Sequence, residues 1–265
     1  MLKKLRKSLV SLRDIMQNPW LLNLVYDRDD SWENRFKKEY PKRSSLPTYQ
    51  LSNLTGSEFL LSPWTFSGGG SMPTDIALLC ALTRRFESCR YFEIGTWMGE
   101  SVANVAQHAA SCTSLDLPAE QLRKLGAAES YISKQGLLAK HLENVKLVKA
   151  DSKHFDFSSL GRPFDLIFID GDHHYESVKS DTKNVMKHLV HDESIVVWHD
   201  YAFAPGETRW EVYKAILDGL DSDLHSRLIT FNNCLCAVLM PEKMIARLDG
   251  YDQKLTKFEI RIKSS

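Results

Sequence analysis

The chain has 265 residues, 43% hydrophobic and 26% charged, which accommodates one full α/β domain with decoration and excludes a disordered or fibrous protein. Its 34 Lys and Arg balance 34 Asp and Glu, so no global field draws in nucleic acid. Five cysteines, odd in number and without a CxxC pair, read as core thiols of a cytoplasmic protein, and no apolar run approaches the roughly 20 residues of a transmembrane span.

Residues 1–50 are locally basic, with 11 Lys or Arg against 6 Asp or Glu. Met1-Leu-Lys-Lys-Leu-Arg-Lys7 begins as a signal peptide does, but Arg13 and Asp14 interrupt the apolar stretch and no small-residue cleavage site follows. Leu2, Leu5, Leu9 and Leu12 recur at three- and four-residue spacing and predict an amphipathic helix. Such a helix packs as a cap on the main domain or on a second subunit, which would make the protein a homo-oligomer; its basic side also suits a membrane interface. Pro41 to Pro47 is a linker candidate, and Ser67-Gly-Gly-Gly-Ser71 a flexible loop whose Gly68 to Gly70 would hinge a lid. The expected division is a helical and loop cap over 1–65, the main domain over 66–240 and a C-terminal extension over 241–265.

Thr74 is the expected N-cap of a helix running through Ile76, Leu79, Leu82 and Phe86. Strands are predicted at Arg90 to Ile94, Thr113 to Leu117, Val145 to Lys149, Phe164 to Asp170 and Ile195 to His199, with helical segments between them. That alternation predicts a parallel sheet covered on both faces. The helix from Tyr175 carries Val178, Val185, Met186 and Leu189 on one side, so a right-handed crossover should set its flanking strands side by side. After a helix from Trp210, the segments Arg227 to Phe231 and Leu235 to Met240 flank Asn232-Asn233, which suits φ > 0 and a tight hairpin. The fold class expected is therefore α/β: a Rossmann-like, doubly wound, mostly parallel sheet with a C-terminal antiparallel hairpin and an N-terminal helical extension.

Tyr91-Phe-Glu-Ile-Gly-Thr-Trp-Met-Gly-Glu-Ser101 is an apolar strand that ends in glycines and opens a helix. Gly95 allows a tight turn, and Gly99 lets the backbone approach a ligand at the helix start. Many nucleotide binders share such a loop, and Glu93 narrows the choice. A carboxylate at the strand tip repels a pyrophosphate but suits the cationic amino group of a methionyl moiety. Asp116, ending the next strand, can accept from both ribose hydroxyls, and Asp151 with Ser152, after the third strand, can meet an adenine edge. A solvated turn or an N-cap remains the plainer role for each aspartate.

Glu-Ile-Gly-Thr-x-x-Gly-x-Ser over 93–101, with Thr96, Trp97 and Ser101 inside it, precedes Phe-Ile-Asp-Gly-Asp-His-His-Tyr over 168–175. Together the two motifs resemble the class I methyltransferases that depend on S-adenosylmethionine, in particular the macrocin-like O-methyltransferases of small molecules, over about residues 70–240. The resemblance implies methyl transfer to a hydroxyl of a sugar or natural product. In the related metal-dependent enzymes, a carboxylate after the fourth strand and an acidic or amide pair after the fifth hold a cation. Carried over, these are Asp170, His199 and Asp200, with His199 standing where an acid is usual. Such oxygen and imidazole donors suit Mg²⁺ or Mn²⁺, the imidazole tilting the choice to Mn²⁺. His173 matches the position of the macrocin-like general base.

Plainer roles exist here as well: Asp172 or His173 as caps of the following helix, His174 as a surface residue, and the remaining histidines as structural or solvated. Trp64, Phe66, Trp97, Tyr201, Phe203 and Trp210 line a stacking pocket or belong to the core. An NAD(P)-dependent oxidoreductase is the first rival, disfavoured because the loop is GxxxG rather than GxGxxG. A non-catalytic adenosyl-binding protein is the second, and it would have no use for the cluster at 170–200.

Overall fold

The computed structural model describes residues 2–17, 29–66, 70–250 and 258–263. The chain divides into two compact units, Met1–Arg43 and Ser44–Ser265. The first holds helices α1 (Leu2–Gln17) and α2 (Asp29–Glu39). On α1 the side chains of Leu9, Leu12 and Met16 are exposed; those of Leu2 and Leu5 lie outside the described residues, as do Ser67, Gly68 and Gly69 of the expected hinge loop.

The second unit opens with β1 (Thr48–Tyr49), α3 (Ser52–Thr55) and α4 (Pro73–Thr83). Strand and helix then take turns: β2 (Arg90–Ile94), α5 (Glu100–Val105), β3 (Ser111–Asp116), α6 (Ala119–Lys124), α7 (Glu129–Ile132), β4 (Val145–Lys149), β5 (Leu166–Ile169), α8 (Tyr175–His188) and β6 (Ile195–Trp198). A small ribbon of β7 (Ala202–Ala204) and β8 (Glu207–Thr208) precedes α9 (Trp210–Gly219), β9 (Leu228–Phe231), β10 (Ala237–Leu239) and α10 (Glu242–Ile245).

The large sheet runs in the order β1-β9-β10-β6-β5-β2-β3-β4, with β2 to β6 parallel and β10 antiparallel to both β6 and β9. The expected wound sheet and its closing hairpin are both present. Leu166-Ile-Phe-Ile169 and Ile195-Val-Val-Trp198 are buried throughout, as strands covered on both faces must be. The predicted crossover through α8 sets β5 and β6 side by side, pairing Leu166 with Ile195. From β2 the chain winds to β3 and β4, then returns to β5 on β2's other side. That reversal opens a crevice beyond the carboxyl ends of β2 and β5, where open α/β sheets bind ligands.

Three local expectations change. Met72, not Thr74, is the N-cap of α4; Pro73 starts the helix, and the Thr74 hydroxyl donates to the carbonyl of Asn233 at 2.5 Å. The hairpin is not tight: residues 232–236 separate the strands, and of the two asparagines only Asn233 has positive φ, at 60°. The boundary between the two units falls inside the segment read as a linker, Pro41 to Pro47, and not at residue 65 where the cap was expected to end. Leu46 donates its amide to the Tyr201 hydroxyl at 2.8 Å, and β1 pairs parallel with β9, so residues 44–65 belong to the larger unit. Among the described residues no helix is long and apolar enough to cross a membrane.

Candidate active site

The loops after β2 to β6 enclose a cleft of about 910 Å³. It is lined by Gly95, Thr96, Trp97, Ser101, Asp116, Asp151, Ser152, Asp170, His173, His199 and Asp200, and by Ser71 and Leu235 from outside those loops. Glu93 and Gly99 are absent from that lining.

Gly95 leaves β2 with φ of 98°, a conformation that side chains rarely adopt. A Cβ at this position would stand 1.9 Å from the backbone oxygen of Asp170, so the absence of a side chain is what lets the loops after β2 and β5 touch. Gly99, with φ of 87°, caps the six-residue α5. Between them Trp97 holds φ of 46°, and its ring stacks on Tyr131 at 3.9 Å between centroids. Asp200 has φ of 55°, so two non-glycine residues with left-handed backbone face the same cleft.

Glu93 is fully buried behind this turn. Its Oε2 accepts from the hydroxyls of Tyr91 (2.7 Å) and Ser101 (2.8 Å), and its Oε1 from Ser114 (2.7 Å). Burial lifts its pKa to about 7 although the three hydroxyls pull the other way. Ser114 also meets the Thr96 hydroxyl at 2.6 Å, so Glu93 is tied to the cleft through Ser101 and Thr96.

At the end of β3, Asp116 Oδ2 accepts from Gln135 Nε2 at 2.7 Å and lies 3.4 Å from Lys149 Nζ. Its Oδ1 accepts from the amide of Leu117 at 2.9 Å. Beyond β4, Asp151 accepts from the amide of Lys153 and meets His154 Nδ1, both at 3.0 Å. Ser152 hydrogen-bonds Asp181, whose carboxyl burial lifts to about 6.

Asp170 follows β5, and His199 and Asp200 follow β6. Their adjacency follows from the β5–β6 pairing. His199 Nδ1 lies 3.1 Å from Asp170 Oδ1 and 3.6 Å from Asp200 Oδ2, and the three donor atoms fall within 4.8 Å of one another. Burial works against a charge on this imidazole, but Asp170, Asp200 and Asp75 outweigh it and drive its pKa well above the usual value. Asp200 is also penalised by burial, yet His199, His173 and Arg209 hold it down to about 2. His173 Nδ1 lies 3.4 Å from Asp200 Oδ2, and the His173 side chain is 48% exposed, so its other nitrogen remains reachable from the cleft. His174 pairs instead with Asp172, whose carboxylate also takes the Ser177 hydroxyl at 2.6 Å. Asp172 thus anchors the first turn of α8.

Of the six aromatic candidates only Trp97 is on the cleft lining. Tyr201 is core, tied to Leu46 and packed edge-on to Tyr213, while Phe66 and Phe203 are exposed. Sequence reasoning missed Tyr131, Gln135, Ser71 and Asp75. Asp75 carried a signal, an acid in the first turn of a helix, but nothing local tells that its carboxylate reaches a residue 124 positions away.

Residues 92–201 match the family described as a methyltransferase domain, from β2 to just past Asp200. A search among curated proteins finds no match. Among solved structures, an O-methyltransferase from Bacillus cereus in complex with S-adenosylhomocysteine is 15% identical, over 66% of this chain and 84% of that one, with a TM-score of 0.46. A methyltransferase from Podospora anserina, also bound to S-adenosylhomocysteine, is 18% identical over 49% of this chain and 54% of its own (TM-score 0.38). An amino pentose methyltransferase from Micromonospora echinaspora is 19% identical over 49% and 51% (TM-score 0.36), so the chain spans about half the length of these last two. The five parallel strands closed by β10 and β9 form the class I methyltransferase arrangement expected from the sequence.

Proposed function

We propose that this chain, which carries a methyltransferase domain over residues 92–201, uses S-adenosylmethionine to methylate a hydroxyl of a small molecule of sugar or natural-product type, assisted by a divalent cation. The observation that carries this is the meeting of Asp170, His173, His199 and Asp200 on one cleft with the glycine turn of β2. The odd cysteine count and the absence of a CxxC pair support a cytoplasmic setting.

The cleft suits an adenosyl ligand. Asp116 would accept from the ribose hydroxyls, Asp151 and Ser152 would meet the adenine edge, and Gly95, Thr96 and Trp97 would bound the methionyl end. Glu93 acts one layer back, by orienting the Ser101 hydroxyl that lines the cleft. For the cation, two carboxylate oxygens and one imidazole nitrogen converge within 4.8 Å, a donor set that suits Mn²⁺ or Mg²⁺.

When bound, the cofactor supplies an electrophilic methyl group and the cation lowers the pKa of the acceptor hydroxyl. His173, whose Nδ1 lies 3.4 Å from Asp200 Oδ2, would offer Nε2 to take the acceptor's proton. Asp170, His199 and Asp200 would hold that cation on the cleft.

Calorimetric titration of the purified chain with S-adenosylhomocysteine, and separately with NADH, tests the reading. Binding of the first and not the second is expected. Tight NADH binding with no response to S-adenosylhomocysteine would overturn it.

A further inference from the structure

Asp75 stands outside the cleft, on the first turn of α4, with no solvent exposure. Its carboxylate is ringed by donors. Oδ2 accepts from the amide of Met72 at 3.0 Å, and Oδ1 accepts from the amide of Leu235 at 2.8 Å with the thiol of Cys236 at 3.5 Å. The Cys234 thiol also hydrogen-bonds the carboxylate, and Nε2 of His199 lies 3.2 Å from Oδ2. Backbone amides can only donate, so both carboxylate oxygens are fixed as acceptors. An imidazole nitrogen that meets such an oxygen must carry a hydrogen. Nδ1 is the ring nitrogen turned towards Asp170 and Asp200, and a cation bound there would displace the proton it carries.

We propose that Asp75 is a positioning residue: it holds His199 with Nε2 protonated and presents Nδ1 as the donor atom for a divalent cation shared with Asp170 and Asp200. This rests on the cation in the proposed function. The arrangement has a physical rationale, because a ligating histidine whose other N–H is held by a carboxylate keeps one tautomer and one ring orientation. It also explains why a charged side chain is buried in an otherwise apolar helix. Holding the turn at Met72 and the loop at Leu235 needs only acceptors, but those two amides leave one carboxylate site turned to the imidazole.

The Asp75→Asn variant separates this role from a purely structural one, since the amide keeps the shape but has only one accepting atom for two sides that each require an acceptor. If that oxygen faces Leu235, the NH₂ group faces His199 and favours the opposite tautomer. Mn²⁺ titrations of both proteins should show affinity weakened about 10- to 100-fold in the variant, with S-adenosylhomocysteine binding unchanged. Equal Mn²⁺ affinity in the two proteins would overturn the positioning role alone. A wild-type protein that binds no Mn²⁺ would overturn the cation reading and this inference with it. Should the variant fail to fold, ¹⁵N-histidine NMR of the wild type with Cd²⁺ decides, with the His199 signal assigned from a His199→Gln sample. Ligation through Nδ1 with Nε2 protonated supports the role, and the reverse pattern overturns it.

Discussion

Glu93 is held by three hydroxyls, yet burial still leaves its pKa at about 7, against an ordinary 4.5. A folded-state pKa above the unfolded one means that the folded chain binds the extra proton between those values, so stability is lost as pH rises from about 4.5 through about 7. For a shift of this size the loss is on the order of 3 kcal/mol. Glu93→Gln has no such proton to lose, and its amide still pairs with hydroxyls that both donate and accept. Urea midpoints between pH 5 and 8 should therefore fall more steeply for the wild type than for the variant; Asp181, raised to about 6, contributes in both and cancels in the comparison. Identical slopes would show that Glu93 is ionised throughout. Asp170→Ala should remove detectable Mn²⁺ binding while circular dichroism stays native, and retention of the cation would dismiss Asp170 as a ligand. The residues legible in the sequence were those the chain brings together locally, such as Gly95 to Ser101 or His199 with Asp200. Asp75, Gln135 and Tyr131 were illegible because their partners lie on other loops, at separations that no periodicity encodes.

At the scale of elements, the long apolar strands announced themselves, whereas β1, β7 and β8, of two or three residues each, are too short for any alternation to register. The predicted fourth strand, Phe164 to Asp170, forms ladder pairs only over Leu166–Ile169, since its last residue turns away to build the site. Helix α4 is the instructive case. Three- and four-residue spacing marks one face through Ile76, Leu79 and Leu82, but every residue from Thr74 to Thr83 is buried, because Pro73 to Thr83 has no polar stripe to turn outward. It follows that Leu78, off the expected face and fully buried, matters as much as Leu79. Leu78→Ala and Leu79→Ala should each cost about 2–5 kcal/mol in chemical denaturation. A Leu78→Ala loss below about 1 kcal/mol, the level of an exposed position, would mean that α4 has a solvent side after all.

For the molecule as a whole, every residue on the cleft lining falls between 70 and 235, inside the larger unit of Ser44–Ser265. Cofactor binding should then stabilise that unit by mass action without any contribution from residues 1–43. At S-adenosylhomocysteine concentrations 100 times its Kd the gain is about 2.7 kcal/mol. In a domain of this size each 1 kcal/mol raises the melting temperature by about 2–4 °C, so the rise should be roughly 5–11 °C. The full chain and a version shortened to residues 44–265 should bind S-adenosylhomocysteine with the same Kd and so show the same rise at the same ligand concentration. Because the comparison uses the shift and not the absolute melting temperature, any stability that the first 43 residues lend to the fold drops out. A shift that halves on shortening would mean that the smaller unit takes part in holding the ligand, and that the cleft described by the five strand-end loops is incomplete.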